Sequence, residues 1–164
     1  MVATLERHGV EYLIVGGVAA GAYGAARPTG DFDCVVRQAT ENLDRVAAVL
    51  RELHAFLRVH GMSDDEAAAL PVRIDAKMLA GSPLSTWRSD AGDVDVLADI
   101  PDRQGRRRRY EDLLASASTV ERAGLILRVA GLTEIIASKE WANRPKDREA
   151  LPELHHIARG EYHQ

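Results

Sequence analysis

Residues 16–33 read GGVAAGAYGAARPTGDFD and carry the clearest structural signal in this chain. The segment begins with two glycines directly after an apolar run and ends on Asp31 and Asp33, two carboxylates one residue apart. On an extended strand, residues i and i+2 point to the same face, so these two carboxylates converge. Like charges held this close repel each other unless a cation neutralises them, and hard oxygen ligands suit Mg²⁺ or Mn²⁺. The segment therefore predicts a divalent-cation site and metal-assisted phosphoryl chemistry.

The overall composition indicates the class of protein but not its partner. The chain has 164 residues, of which 46% are hydrophobic and 28% charged, with a formal net charge of -4. These values describe an ordinary soluble globular protein of single-domain size, and the acidic balance argues against binding nucleic acid by bulk charge, although local basic patches could still do so. The single cysteine, Cys34, excludes an intramolecular disulfide and is compatible with a reducing cytosol. Since no signal-peptide core and no run of about 18 apolar residues is found, we expect a cytoplasmic protein with no membrane partner.

Apolar periodicity predicts an α+β fold in which helices flank a small mixed β-sheet. The predicted strands cover residues 12–15, 31–36, 84–88 and 93–100, with a hairpin of 119–121 and 125–129 around Gly124. The predicted helices cover residues 2–8, 18–25, 42–57, 110–115, 132–141 and 145–158. We expect residues 61–70 to form a loop with one helical turn, 101–109 a loop with a basic end, and 72–79 a helix or a strand. One domain over residues 1–164 accounts for the pattern, with a core over about 1–100 and a C-terminal helical part over about 110–164.

A second pair of carboxylates supplies a candidate for a third metal ligand. Two divalent cations need more negative charge than two aspartates supply. Asp93 and Asp95 share one face of the strand GDVDVL, residues 92–97, by the same period of two. Asp95 lies within the strand between two valines and Asp93 lies beside a turn, so we favour Asp95 and keep Asp93 in reserve. The alternative is that alternating Asp and Val marks only a half-exposed strand with a polar outer face.

The residues that precede Asp31 could hold the phosphates of a nucleotide. Gly16 and Gly17 are expected to form a turn between a strand and a helix, where backbone N–H groups and the helix N-terminus can bind phosphate. A glycine pair is otherwise only a turn. Arg27 by its forked donors and Thr29 by its hydroxyl could orient a triphosphate, but either could equally be a surface residue or a strand cap.

A basic run precedes Tyr110. Such a run is often no more than a solvated loop. If the molecule that accepts the nucleotide is RNA, the run could hold its phosphates despite the acidic total charge. The candidates for RNA contact are Arg106, Arg107, Arg108 and Arg109.

These motifs together resemble the polymerase-β-like nucleotidyltransferase superfamily. Its core motif is matched by the glycine pair, by RPTGDFD at residues 27–33 and by the apolar strand that follows. The chain is similar in particular to the AbiEii and MenT group of nucleotidyltransferase toxins of bacterial toxin-antitoxin systems. This narrower likeness is carried by a Gly-x-x-Asp-hydrophobic-hydrophobic strand within residues 92–97 and by a late helical pattern, Lys-x-x-Ala-x-Arg-x-Lys-Asp. The residues of that pattern are Lys139, Ala142, Arg144, Lys146 and Asp147.

The resemblance implies a polymerase-β-like core whose cleft is closed by C-terminal helices. The residues implied to bind the metal ions are Asp31, Asp33 and Asp95, and those implied to bind the nucleotide are Gly16, Gly17, Arg27, Thr29, Lys139 and Asp147. Lys139 would hold the phosphates, and Asp147 would orient Lys139 or the nucleotide. Without the resemblance, the preferred interpretation of Lys139 is a solvated helix residue paired with Glu140 or Asp147. Gly17 stands where many members carry serine, so any phosphate bond from that hydroxyl is lost.

The resemblance also implies a reaction and partners. An acceptor hydroxyl attacks the α-phosphate of an NTP with Mg²⁺ or Mn²⁺ as cofactor, and pyrophosphate leaves. By likeness to the MenT toxins, the acceptor is the 3′ end of tRNA, aminoacylation and translation are blocked, and an antitoxin protein is a partner. Two alternatives remain: transfer to a protein or to a small molecule such as an aminoglycoside, and a catalytically inactive module that binds a nucleotide or a partner. An inactive homologue would be free to lose the residues implied to be catalytic, which are Asp31, Asp33, Asp95 and Lys139.

Overall fold

A mixed β-sheet flanked by helices organises the computed structural model, which describes residues 1–122 and 124–160. Within these residues the strands are β1 (Tyr12–Ile14), β2 (Asp31–Val36), β3 (Phe56–Leu57), β4 (Leu84–Ser89), β5 (Gly92–Leu97), β6 (Asp99–Pro101), β7 (Arg107–Arg109), β8 (Ser118–Arg122) and β9 (Leu125–Val129). The helices are α1 (Val2–Arg7), α2 (Gly16–Ala22), α3 (Thr40–Glu52), α4 (Asp64–Ala68), α5 (Ala76–Ala80), α6 (Tyr110–Leu113), α7 (Leu132–Ala142) and α8 (Pro145–Ala158), with a short 3-10 helix at Leu114–Ser116. The predicted α+β class is confirmed.

The central strands bring the predicted carboxylates side by side. In the described part of the chain, seven strands form one sheet in the order β3-β4-β5-β2-β1-β9-β8. β2 runs parallel to β5 and β1 runs parallel to β9, whereas the other neighbouring strands are antiparallel. Between β2 and β5, Asp31 pairs with Asp93 and Asp33 pairs with Asp95. Because side chains alternate between faces along each strand, all four carboxylates lie on one face of the sheet.

Burial changes along β2. Its second half, residues 34–36, is buried in the core together with all of β1, whereas its first half, residues 31–33, is only partly buried. Burial raises the pKa of the Cys34 thiol, which therefore behaves as a small apolar core residue. β2 thus carries its two carboxylates out of the core while its other end is anchored inside it.

α3 ends at Glu52, whereas the sequence predicted a helix as far as Leu57. His54 adopts a left-handed conformation with φ of 48°, and the N–H of Ala55 donates to the carbonyl oxygen of Leu50 at 2.8 Å. This is the hydrogen bond of a Schellman C-cap, which is usually made with glycine at the left-handed position. The next two residues form β3 and pair with β4. Because histidine stands where glycine is usual, the sequence carried no helix stop signal.

The glycine pair opens α2 instead of forming a separate turn. α2 begins at Gly16, two residues before the predicted start, and ends at Ala22. Gly16 has φ of 64°, in the left-handed region that favours glycine. α4 is the helical turn predicted within 61–70. Of the segment 72–79, predicted as a helix or a strand, only the second half is helical, in α5.

The predicted strand over 93–100 is two strands, and the predicted loop over 101–109 contains part of a hairpin. β6 follows β5, leaves the main sheet and pairs with β7 in a separate two-stranded sheet. Asp102 closes this hairpin, because its side chain accepts hydrogen bonds from the backbone N–H groups of Gln104 and Arg106 at 2.9 Å each. A turn closed by one side chain leaves no trace in apolar periodicity.

The C-terminal part supplies both strands and helices. The predicted hairpin forms as β8 and β9, and β9 joins the main sheet beside β1. α7 and α8 begin at Leu132 and Pro145 as predicted, with Pro145 in the first turn. Within the described residues, the main sheet thus takes strands from residue 12 to residue 129. The single domain over 1–164 stays a prediction, and residues 161–164 of it lie outside the described residues. Within 1–122 and 124–160, no helix is long and apolar enough to cross a membrane.

Candidate active site

A cavity of about 400 Å³ lies over the carboxylates of β2 and β5 and is also lined by residues of α2, of the segment between α2 and β2, and of α7 and α8. Eight of the predicted site residues line it: Gly16, Gly17, Arg27, Thr29, Asp31, Asp33, Asp95 and Lys139. Asp147 and residues 106–109 are not among the described residues that line it. The C-terminal helices therefore close the cleft, in agreement with the predicted architecture.

The three carboxylates that line the cavity, those of Asp31, Asp33 and Asp95, repel one another. Burial, followed by the charges of Asp95 and Asp31, raises the pKa of Asp33 to about 6. Burial and the charge of Asp31 also raise the pKa of Asp95. Hydrogen bonds from the backbone N–H of Gly17 to Asp33 and from the Thr86 side chain to Asp95 oppose these shifts only in part. The cluster is thus costly to keep ionised without a cation.

Asp93 has its charge balanced by two arginines, unlike Asp95 two residues later. Its carboxylate lies 3.1 Å from Nη1 of Arg58 and accepts hydrogen bonds from Nε of Arg88 at 2.8 Å and from Nη2 at 3.1 Å. Hydrogen bonds from Arg88, helped by the charge of Arg58, hold the pKa of Asp93 below its usual range. Asp93 is also not among the described residues that line the cavity. Of the two candidates for the third metal ligand, the geometry favours Asp95.

The glycine pair allows the backbone of α2 to approach the carboxylates. A Cβ on Gly16 would overlap Oδ2 of Asp33, and a Cβ on Gly17 would lie 2.6 Å from Oγ1 of Thr29. The N–H of Gly17 donates to Asp33, so this donor, predicted to cradle phosphate, is engaged by a carboxylate. Glycine at these two positions therefore permits close packing of α2 against β2 and against the segment before it.

Lys139 is held in the cavity wall by a buried carboxylate. Its side chain is only 14% exposed, and its Nζ lies 3.3 Å from Oδ1 of Asp147, which is fully buried. Arg144 donates to the other oxygen of Asp147 from Nε at 2.6 Å. Burial opposes the ionisation of Asp147, but Arg144 and Lys139 outweigh it and hold its pKa below the usual range. Lys139 is thus paired with Asp147, as the alternative interpretation predicted, but it is largely buried and not solvated. Asp147 therefore lies where it can orient Lys139.

The segment that carries Arg27 and Thr29 is tied to α8. Nη1 of Arg27 lies 2.8 Å from Oε2 of Glu149 and donates to the carbonyl oxygen of Lys146 at 3.3 Å. The hydroxyl of Thr29 donates to the carbonyl oxygen of Asp31 at 3.4 Å. Both residues line the cavity, so these contacts fix its rim while Arg27 remains about half exposed.

The basic run lies at β7, and none of its residues is among the described residues that line the cavity, although Arg108 pairs with Ile100, which does line it. Three of its guanidinium groups form ion pairs: Arg106 with Asp102, Arg107 with Asp99 and Arg108 with Glu134. Arg109 precedes α6, and its backbone N–H donates to Asp112. A phosphate that bound here would have to compete with these carboxylates for the guanidinium groups. Contact with RNA stays a prediction.

Lys146 lines the cavity from the first turn of α8, and the sequence reading assigned it no role. Its charge lowers the pKa values of Asp33 and Asp95, against the effect of burial. Lys146 belongs to the late helical pattern, so the signal was available in the sequence. Only the tertiary structure brings Lys146 and Lys139, from two different helices, to one cavity.

The carboxylate cluster has the chemistry of a divalent-cation site without being a preformed one. Over residues 1–122 and 124–160, no three or more His, Cys, Asp and Glu side chains form a group that could hold a metal ion as they stand. The donor set nevertheless fits, because three carboxylates on adjacent strands supply hard oxygen ligands and two of them have raised pKa values. A cation would have to draw these carboxylates together.

Comparison with known proteins identifies the class of fold. No family model and no curated protein matches the chain. Among solved structures, the lincosamide antibiotic adenylyltransferase LnuA, lincomycin-bound, has a TM-score of 0.61 and 12% identity over 94% of this chain and 92% of its own. ANT(2'')-Ia in complex with adenylyl-2''-tobramycin has a TM-score of 0.59 and 15% identity over 95% of this chain and 83% of its own. TM1012 of Thermotoga maritima, assigned as a nucleotidyltransferase, has a TM-score of 0.51 and 15% identity over 98% of this chain and 83% of its own.

The chain therefore has the fold of nucleotidyltransferases. Identities this low establish the fold and leave the reaction and the substrate to the argument from the site. The predicted likeness to nucleotidyltransferases is confirmed at the level of the fold. The narrower likeness to the AbiEii and MenT toxins stays a prediction.

Proposed function

We propose that this chain is a metal-dependent nucleotidyltransferase with an NTP as substrate. The observation that carries the proposal is the set of three carboxylates, Asp31, Asp33 and Asp95, on adjacent strands of a nucleotidyltransferase fold. Two of them have raised pKa values, and the same cavity contains Lys139 and Lys146. A site with excess negative charge on one wall and ammonium groups on another suits a cation and a polyphosphate bound together.

The lining residues divide into two groups by charge. The three carboxylates would hold Mg²⁺ or Mn²⁺, which would neutralise charge on the phosphates when bound. Lys139, oriented by Asp147, would hold the phosphates from α7, and Lys146 would do so from α8. The rim residues Arg27 and Thr29 would complete the phosphate site.

Nucleotidyl transfer requires side chains that position the NTP and the acceptor, and it requires no nucleophile from the protein. The acceptor hydroxyl oxygen forms a bond to the α-phosphorus while the bond from that phosphorus to the pyrophosphate oxygen breaks. The hydroxyl proton passes through a carboxylate of the cluster to water. Positioning and charge neutralisation supply most of the rate in such a transfer.

Two classes of acceptor fit the proposal about equally. By likeness to the MenT toxins, the NMP goes to the 3′ end of tRNA, translation is blocked, and a cognate antitoxin protein is a partner. LnuA is bound to lincomycin and ANT(2'')-Ia to adenylyl-2''-tobramycin, and these two neighbours favour a small-molecule acceptor. The remaining alternative is a catalytically inactive module that binds a nucleotide or a partner. An activity assay separates this module from a nucleotidyltransferase with either acceptor.

The decisive experiment is transfer from each labelled NTP with Mg²⁺, with Mn²⁺ and with a chelator, offering total tRNA and an aminoglycoside as separate acceptors. We expect labelled product and pyrophosphate only with metal, and loss of both in Asp31→Ala and Asp33→Ala. The matched control is Asp44→Asn, an exposed aspartate of α3 that lines neither the cavity nor its rim. Transfer at a wild-type rate by either alanine variant would remove the catalytic proposal and favour a binding module.

Growth measurements test the toxin form separately. Induction of the wild-type chain in a bacterial host should arrest growth, and Asp33→Ala should relieve the arrest at equal protein level. Antibiotic resistance without growth arrest would support the small-molecule acceptor instead.

A further inference from the structure

A second cavity of about 400 Å³ lies beside the first, where β3 and β4 meet the chain around α4. The polar and charged residues that line it are Arg58, His60, Asp64, Thr86 and Arg88. The proposed binding of NTP and metal uses none of these side chains to hold a ligand. This cavity is therefore available to the second substrate of a transfer reaction.

Thr86 and Asp95 form the boundary between the two cavities. They are direct partners in the pairing of β4 with β5, and the Thr86 side chain donates a hydrogen bond to the Asp95 carboxylate. Asp95 lines the first cavity and Thr86 lines the second. A group bound in the second cavity thus lies within a side chain's length of the carboxylate cluster.

Arg58 and Arg88 are oriented by carboxylates without being saturated by them. Asp93 contacts one nitrogen of Arg58 and two of Arg88, and Asp64 contacts the third nitrogen of Arg88. A guanidinium group carries about five N–H donors, so both arginines keep donors for a ligand. Both side chains are 40% exposed. The pair is therefore held in place and open to the cavity.

The charged side chains that line this cavity favour an anion over a cation, because Arg58 and Arg88 are among the lining residues together with Asp64. Asp93 is not among the described residues that line it. A cationic acceptor such as an aminoglycoside would meet two guanidinium groups, while the nearby carboxylates Asp64 and Asp93 are already paired. A phosphate matches guanidinium groups in both charge and bidentate hydrogen bonding. Asp64 is 55% exposed on the short helix α4, so a phosphate could displace it from Arg88.

We propose that the second cavity binds the acceptor and that Arg58 and Arg88 select an acceptor with a phosphate group near its reactive hydroxyl. This inference rests on the proposed function, because the cavity has an acceptor only if the chain transfers nucleotides. The hydroxyl oxygen enters beside Asp95 and bonds to the α-phosphorus, the bond to pyrophosphate breaks, and the proton leaves to water. A polynucleotide 3′ end and a phosphorylated small molecule share this chemistry.

Direct binding tests the cavity independently of catalysis. The probe is a fluorescently labelled RNA trinucleotide with a free 3′-hydroxyl, titrated with the full chain at constant ionic strength. We expect Arg58→Gln and Arg88→Gln each to weaken binding at least tenfold. The control is Arg73→Gln, whose exposed guanidinium pairs with Asp75 outside the described lining of both cavities, and it should change binding less than twofold. Asp64→Asn should strengthen binding because it frees Arg88.

Thermal denaturation of each variant separates loss of the fold from loss of the ligand site. Arg88→Lys keeps the positive charge but loses the forked pair of guanidinium donors. Its affinity for RNA should therefore lie between that of the wild type and that of Arg88→Gln.

Transfer assays then identify the source of the phosphate. The acceptors are the RNA trinucleotide, adenosine 5′-monophosphate, adenosine and tobramycin, each with the same labelled NTP. We expect the phosphate-bearing acceptors to be used and Arg58→Gln to raise the acceptor KM at least tenfold while the KM for NTP changes less than twofold. Use of the trinucleotide alone identifies a polynucleotide acceptor, and equal use of the monophosphate identifies a small phosphorylated one.

The failures of the inference and of the proposed function are distinguishable. If both Gln variants bind RNA like the wild type, or if adenosine or tobramycin is the preferred acceptor, the inference is overturned while nucleotidyl transfer stands. If the wild type consumes no NTP with any acceptor, the proposed function is overturned, and the RNA titration still decides whether the cavity binds phosphate.

Discussion

Asp95 and Asp93 lie two residues apart on one face of one strand and have opposite electrostatic surroundings. Asp95 lies beside Asp33 on the adjacent strand and lines the same cavity as Asp31 and Asp33, and burial with the charge of Asp31 raises its pKa. Asp93 is held between Arg58 and Arg88, whose hydrogen bonds and charges lower its pKa. The backbone treats the two residues alike, so the difference arises entirely from what neighbouring segments place beside each carboxylate.

This difference separates two uses of a carboxylate. A paired carboxylate orients its partners, as Asp93 orients the arginines of the second cavity. When no cation is bound, a carboxylate in a cluster of like charges is destabilised by electrostatic repulsion, and metal binding would remove that repulsion. The predictions that follow test whether this contrast governs activity and stability.

The largest expected effect is on transfer itself. Asp95→Asn should lower kcat by roughly a thousandfold or more, because it removes a proposed metal ligand, whereas Asp93→Asn should keep kcat within about fivefold and act mainly on the acceptor KM. Steady-state kinetics with separately varied NTP and acceptor measures both. Equal losses of kcat in the two variants would end the distinction between them.

The next largest effect concerns the ammonium group of Lys139, which lines the same cavity as the carboxylates. Lys139→Ala should lower kcat/KM for NTP by roughly tenfold to a hundredfold, and Lys139→Glu should be worse because it places a like charge beside phosphate. Lys77→Ala on the exposed face of α5 is the control and should be silent. Rates measured at low and saturating NTP check this prediction. Wild-type rates in both Lys139 variants would remove Lys139 from the site, together with the strongest link to the toxin group.

A smaller effect on stability is expected at the start of α2. Gly16→Ala should destabilise the fold by about 1–3 kcal/mol and displace Asp33, because φ is 64° and the added methyl group would overlap that carboxylate. Gly21→Ala in the same helix meets nothing within 4 Å and should be neutral or stabilising by up to about 1 kcal/mol. Urea denaturation of the two variants measures the contrast, and a similar change in both would contradict the close approach of α2 to β2.

The smallest effect is a pH dependence of the metal-free protein. Because the pKa of Asp33 is about 6 in the folded state against 3.8 ordinarily, the folded state binds its proton more tightly than the unfolded chain does. The stabilisation that protonated Asp33 provides is therefore fully present below about pH 4 and is lost as pH rises through about 6. The free energy of unfolding should fall by roughly 1–2 kcal/mol over this range, after allowance for solvent screening.

Thermal denaturation across this range should show the loss in the wild type and a flatter profile in Asp33→Asn. Mg²⁺ or Mn²⁺ should raise the Tm of the wild type more at pH 7.5 than at pH 5. A profile that Asp33→Asn leaves unchanged would assign the pH dependence to other groups.

Local sequence patterns were sufficient for the parts of the site that one element supplies. The period of two predicted that Asp31 and Asp33 share a face, and β2 has the predicted bounds. The start of α8 at Pro145 was likewise readable, because proline suits a first helical turn. The same reasoning was wrong where a long-range contact decided the element, as at His54, where a left-handed cap ends α3 and allows β3 to pair with β4.

Residue types and their periods thus determined which side chains share a strand face or a helix, since those relations depend only on backbone geometry within one element. Backbone geometry within one strand could not decide between Asp93 and Asp95 as the third ligand. The arginines that neutralise Asp93 come from β4 and from the end of β3, and the lysines near Asp95 come from α7 and α8. Only the tertiary structure decided which carboxylate is paired with arginines, because charge compensation acts through space between segments that are distant in sequence.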